Sequence, residues 1–176
     1  YARFKENQNF QQTRGLIKLM RQIVRQFYES GNAEKKFLIN VFDFDLNEQK
    51  MLSVIRQIKP SLEEAINHDI TQAGKSVAEV IDSEKPENHG ITQSIAKLIL
   101  VSSLSTAQHG LLGLSDSEIF GYISAPDVDD NEIKSCLDEL KTLCWYMKQD
   151  NRGRQYFQNT KNMVAEMNTL IDSYTN

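Results

Sequence analysis

Cysteine, proline and tryptophan are scarce in this 176-residue chain, with two, three and one of each. Cys136 and Cys144 lie eight residues apart with no Cys or His cluster at ligand spacing, which argues against a structural zinc site. They read as small buried apolar residues rather than redox groups. With three Pro and eight Gly the chain is neither collagen-like nor of low complexity. Long apolar runs are missing too. The longest, Ile95 to Val101, is interrupted by Lys97. A transmembrane helix needs about 20 such residues, so none is expected. What remains is globular composition, 40% hydrophobic and 25% charged. A chain of this size buries roughly 70% of its unfolded surface and needs no disulfides to hold a core. That suits one ordinary domain or two small ones. The chain opens on Tyr1, without a signal-peptide pattern, and its first residues read as domain interior. The expectation is a cytoplasmic segment of a longer protein.

Charge is uneven. Residues 1–60 carry a net +5, residues 61–146 a net −10 and residues 147–176 a net +1. This suggests two substructures with different partners, or two that face each other, against the plain alternative of a solvated surface.

The apolar periods are mostly helical. Thr13 caps a helix over 14–29, with Leu16, Met20, Ile23, Val24 and Phe27 inward and Gly31 ending it. Residues 37–44 read as a short strand or extended segment. Asn47 caps a helix to about Lys59, and Ser61 caps another carrying Leu62, Ala65, Ile66 and Ile70. Residues 74–90 hold Gly74, Pro86 and Gly90 and are the best linker region. A helix over 91–104 follows. Ser115 with Glu118 forms a capping box, and Asp129 or Asp130 starts a helix with Ile133, Cys136, Leu137 and Leu140 on one stripe. A strand over 143–147, a turn at 150–153, a return strand over 155–157 and a helix over 161–174 complete the order. The predicted class is mainly α: a helical lid-like subdomain over 1–82, a linker over 83–90 and a winged-helix domain with a small antiparallel β-hairpin over 91–176.

Candidate chemistry is sparse. Gly74-Lys75-Ser76 imitates the end of a phosphate-binding loop, but Asp69 stands where that motif needs Gly and a helix precedes it. Arg14, Lys18, Arg21 and Arg25 are spaced four, three and four apart and form one basic stripe. It is either a solvated face or an anion or partner contact. Arg14 stands out because it opens the helix, where backbone donors and the dipole favour an anion. Asp43 and Asp45 suit turn and helix-start chemistry better than metal binding. His68, His89 and His109 form no catalytic pattern, and no metal site is expected. Residues 127–141 carry a net −4, so a winged helix reading DNA with this segment would repel the phosphates. Arg152 and Arg154 on the wing remain possible contacts to a backbone or partner.

The segments NFQQTRGLIKLMRQIV, KPSLEEAINHDI, LDELKTLCWYMKQDNRGRQYF and NTKNM resemble the C-terminal half of large AAA+-like predicted ATPases, the family catalogued as domain of unknown function 499. The resemblance runs from about Asn9 to Met163. It implies a nucleotide-binding core upstream, with ATP and magnesium there and no cofactor in this segment. Members are long bacterial and archaeal proteins, encoded beside adenine methylases and helicases in clusters that look like anti-phage defence systems. In such lids an arginine opening a helix senses the nucleotide's terminal phosphate. Arg14, with Leu16, Ile17 and Met20 after it, matches that pattern, although Gln11 stands where a Gly is usual. The implied partners are the upstream domain and a protein partner or a second copy. The alternative is a stand-alone protein-interaction or nucleic-acid-binding winged-helix module.

Overall fold

Helix α1, Thr13–Glu29, turns a narrow stripe of Leu19, Ile23 and Phe27 into the core. A computed structural model describes residues 13–34, 36, 38–86, 89–104, 112–126, 128–167 and 171, with backbone alone for 13–16 and 32. Met20 and Val24, expected inward, are exposed. The polar Gln26 takes a place inside instead, because its amide meets both backbone groups of Asp45 at 2.8 Å. Ser30 N–H bonds to the Gln26 carbonyl and Gly31 takes φ +73°, which ends the helix as expected.

No strand forms over the described part of 37–44. The Asp43 carboxylate accepts the Asn40 N–H at 2.8 Å and the Asp45 carboxylate accepts the Asn47 N–H at 2.9 Å. Such local side-chain bonds compete with a ladder and fold the segment into turns, while Phe44 and Leu46 enter the core. Asn47 is therefore not the cap of α2, Gln49–Ile58. Glu48 occupies the N-cap without a side-chain bond. Asn47 instead accepts the Ala73 N–H at 3.1 Å, tying the start of α2 to a distant loop.

Helix α3 is built of Pro60–Leu62 in 3₁₀ form, Glu63–Ala65 in α form and Ile66–Ile70 in π form. The expected cap Ser61 lies inside the first turn, and Lys59 holds the N-cap position without a side-chain bond. The widened last turn carries Asp69 inside with Ile66 and Ile70, and Asp69 is wholly buried. Its two oxygens accept the N–H groups of Trp145 at 3.0 Å and Tyr146 at 2.7 Å, and Oδ1 also lies 2.6 Å from His68 Nδ1. His68 stacks on Trp145 with ring centroids 3.9 Å apart.

The region expected as linker holds helix α4, Val77–Glu84, with a capping box of Ser76 and Glu79. Its Asp82 carboxylate accepts the N–H groups of Thr92 and Gln93, each at 3.0 Å, and so caps the next helix. That helix, α5, Ile91–Ser103, is buried on nearly every side and is the centre of the molecule. Of residues 83–90, Ser83 and Glu84 finish α4 and the rest lie between α4 and α5, which pack on each other; Glu87 and Asn88 lie outside the described residues.

Helix α6, Asp116–Ile123, starts at the expected Ser115–Glu118 capping box. Helix α7, Asp130–Leu143, is capped by Asp129 and buries Ile133, Cys136, Leu137 and Leu140, as the sequence implied. Because α7 runs on to Leu143, the first strand comes later than expected. Strand β1, Met147–Gln149, pairs antiparallel with β2, Gln155–Phe157. Leu114 adds a one-residue antiparallel bridge to Gln155. Its neighbour Gly113 has φ +71°, and a Cβ there would lie 2.3 Å from the Gln155 carbonyl oxygen, so only glycine fits. Residues 163–167 are helical, and most of the rest of the expected last helix lies outside the described residues. The described chain is mainly helical with one two-stranded sheet. One buried cluster runs from Leu19 through Ile55 and Ile99 to Phe157.

The Glu79 carboxylate is buried, which by itself raises its pKa, but four hydrogen bonds outweigh that and leave it lowered. Three come from Gln72 N–H, Ser76 N–H and Ser76 O–H at 2.7, 3.2 and 2.8 Å, and one from Asn47. A lowered folded pKa gives stability that is complete above the ordinary value near 4.5 and is lost as pH falls through the folded value. Urea unfolding across that range should show the native protein losing this contribution and Glu79→Gln, weaker at neutral pH, lacking that component of the slope. Parallel curves for the two would show that Glu79 carries no such linkage.

Candidate functional site on the outward face of α1

A helix packed on one side only needs one apolar stripe. Helix α1 has two. Alongside the buried stripe, Ile17, Met20, Val24 and Tyr28 recur at helical spacing and are exposed, Ile17 by 63% and Tyr28 by 76%. The basic residues run beside this second stripe on the same outward side. By helical period Arg14, Lys18, Arg21 and Arg25 fall within one narrow arc next to it. The surface thus combines an apolar strip with a cationic border, a combination that a merely solvated face does not require.

The basic residues are not equivalent. Arg14 lies in the first turn of α1, and its side chain lies outside the described residues. Lys18 reaches Gln57 of α2 with its ammonium. Arg25 pairs with Glu29 one turn on at 2.7 Å. The Arg25 hydrogen bond holds the Glu29 carboxyl below its usual range. Both groups are exposed, so the pair contributes little to stability. Arg21 has no ion pair or hydrogen bond among the described residues and lines the apolar strip.

The two wing arginines part company. Arg152 is exposed at the hairpin turn, where its N–H and that of Arg154 both bond to the Asp150 carboxylate at 2.8 Å. Those backbone bonds, that from Arg154 first, keep the Asp150 carboxyl below its ordinary value. The Arg154 guanidinium turns inward. It meets Glu118 at 2.8 Å, the Leu112 carbonyl at 3.1 Å and the Gly113 carbonyl at 2.9 Å. Its fork of donors is occupied in fixing the hairpin to the start of α6.

The chain matches no protein-family model, no curated protein and no solved structure.

The phosphate-loop imitation at Gly74-Lys75-Ser76 is closed from within. The N–H groups of Gln72 and Ser76, the kind that would cradle a phosphate, donate to the Glu79 carboxylate. Among the described residues no group of three or more His, Cys, Asp or Glu is placed to hold a metal ion. No helix of the described residues is long and apolar enough to cross a membrane. Sequence reasoning placed the basic stripe but assigned Met20 and Val24 to the core. Spacing alone does not separate them, because Leu19, Ile23 and Phe27, which the structure buries, recur at the same period.

If the outward strip is kept for a partner, isolated stability should not depend on it. Met20→Ser and Val24→Ser should each change urea-unfolding stability by within about 0.5 kcal/mol. Ile23→Ala should cost about 2–5 kcal/mol, since it opens a cavity in the core. Comparable losses at all three positions would make the outward strip part of the fold's own packing.

Proposed function

We propose that this chain is the lid and winged-helix portion of a larger AAA+-like ATPase, and that the outward face of α1 seats on the nucleotide-binding core of that protein. One observation carries the reading: the exposed apolar strip Ile17, Met20, Val24 and Tyr28 runs beside a basic border that begins at Arg14 in the first helical turn. A lid needs both parts. The apolar strip supplies adhesion, and the helix start favours a negative group. An arginine there offers a planar fork of donors to a terminal phosphate. Stabilising charge on that phosphate and following its loss would couple hydrolysis to lid movement.

The winged-helix assignment rests on the order α5, the Leu114 bridge, α6, α7 and the β1–β2 hairpin, with Leu114 paired to the far strand at Gln155. On this reading residues up to 82 form the lid and residues from 91 the winged helix. ATP and magnesium belong to the core on this reading, and Glu79 fills the phosphate-like loop at Gly74-Lys75-Ser76. The parent is then a cytoplasmic prokaryotic protein of anti-phage defence type, as the family resemblance implies. The residues offer little to nucleic acid. Arg154 is engaged internally, and Asp130 and Asp138 are exposed on α7. A protein partner or a second copy is the more consistent company for the strip.

ATP turnover by the longer protein tests this beside its Arg14→Ala variant. The reading predicts turnover lowered by roughly tenfold or more with nucleotide binding largely kept. Unchanged turnover in an active protein would remove Arg14 from the phosphate and reduce the basic border to a solvated face.

A further inference from the structure

Away from α1's outward face, a cavity of about 300 Å³ opens between the inner end of α1, the turns of residues 42–45 and the flank of α5. That is the lower end of the range for small-molecule sites. Three phenylalanines, Phe27, Phe42 and Phe44, give it apolar walls. Two opposite charges stand in it without touching. Lys97, half-buried on α5, has its ammonium 6.0 Å from the Phe44 ring centroid and no hydrogen bond or ion pair among the described residues. Asp45 has one oxygen taken by the Asn47 N–H and the other free among the described residues. Of the carboxylates around Lys97, Asp45 acts on it most strongly, yet no ion pair joins them. Burial pushes the Lys97 pKa below its ordinary value, and attraction to Asp45, Asp82, Glu79 and Asp43 offsets only part of this. The other charges of the cavity cancel each other, because Lys36 pairs with Asp43 at 2.7 Å.

The wall is therefore neutral overall and carries one unanswered cation and one half-answered anion across an open space. A phosphate dianion would meet one free ammonium and two carboxylates. A simple carboxylate would answer Lys97 and leave Asp45 as it is. A small zwitterion answers both. We infer that this cavity binds a free α-amino acid with an aromatic or branched apolar side chain, its carboxylate on Lys97, its ammonium on Asp45 and its side chain against the phenylalanines. The Asp45 backbone is already fixed by Gln26 on both sides, so the carboxylate stands on a rigid support.

The test is titration of the whole chain with L-phenylalanine and L-leucine, read by saturation-transfer NMR and calorimetry. Saturable binding is expected, in the millimolar range or tighter. Lys97→Met and Asp45→Asn should each weaken it about tenfold or more. Phenylpropanoate, which keeps ring and carboxylate but lacks the amine, should bind about tenfold more weakly and be indifferent to Asp45→Asn. Inorganic phosphate should not compete. Absence of saturable binding by the native chain up to about 10 mM would overturn the inference. So would phenylpropanoate or phosphate binding as well as the amino acids. If Lys97→Met does not fold, Asp45→Asn at the exposed rim still decides the role of the ammonium.

Discussion

The structure depends on the buried carboxylate of Asp69. A charge with no exposure to water is costly unless it is fully answered, and here it is answered by backbone. Trp145 and Tyr146 donate their N–H groups to it from a segment 76 and 77 residues away. Those two residues lie just before β1, so the same bonds fix where α7 ends and where the hairpin begins. Hydrogen bonds to a charged acceptor contribute roughly 1.5–3 kcal/mol each, more than ordinary ones. The π turn at Ile66–Ile70 then has a structural use, since it brings Asp69 to the inner side with Ile66 and Ile70. His68 covers the contact by stacking on Trp145, and the Lys161 ammonium lies 4.5 Å from the centre of that ring.

The same device recurs. Glu79 closes the loop before α4, Asp82 caps α5 and Glu118 caps α6 while holding Arg154. Each is an acid of the stretch whose net charge is −10. Four of the fifteen acids in that stretch, Asp69, Glu79, Asp82 and Glu118, are thus committed to backbone N–H groups and one guanidinium within the molecule. Because Leu19, Ile23 and Phe27 suffice to seat α1, its second apolar strip and basic border stay outside the core and are open to another surface. The fold and the docking proposal are connected in this way: internal carboxylates hold the body together, and the cationic helix is left outward.

Legibility in the sequence followed the range of the interactions. Local signals were readable. The Ser115–Glu118 box, the Asp129 cap, the α7 stripe and the hairpin turn at Asp150 all depend on residues within four positions of each other. The failures were at long range. Residues 37–44 have strand composition, yet the Asp43 carboxylate takes the Asn40 N–H and Gln26 holds both backbone groups of Asp45 just beyond them. Asn47 is a good cap by type, but a loop 26 residues on claims it. The missed helix α4 is the exception: its Ser76–Glu79 capping box is as local as the one at Ser115, but the turn residues Gly74 and Gly90 on either side read as a linker. Of the candidate site, the basic residues were legible from spacing. The exposed strip was not, since the same period describes either side of the helix. Lys97 and Asp45 are 52 residues apart, and only the fold sets them across one cavity.

The central claim is that Asp69 joins the early helices and the hairpin region into one cooperative unit. Native-state hydrogen exchange on the wild-type chain and on Asp69→Ala tests it most directly. The account predicts that the slowest amides of α2 and α7 exchange with the same opening free energy in the wild type. Both should fall together by about 3–5 kcal/mol in the variant, as expected when a buried charged partner is lost. Two different opening free energies in the wild type, or a loss confined to one side of residues 83–90, would contradict it.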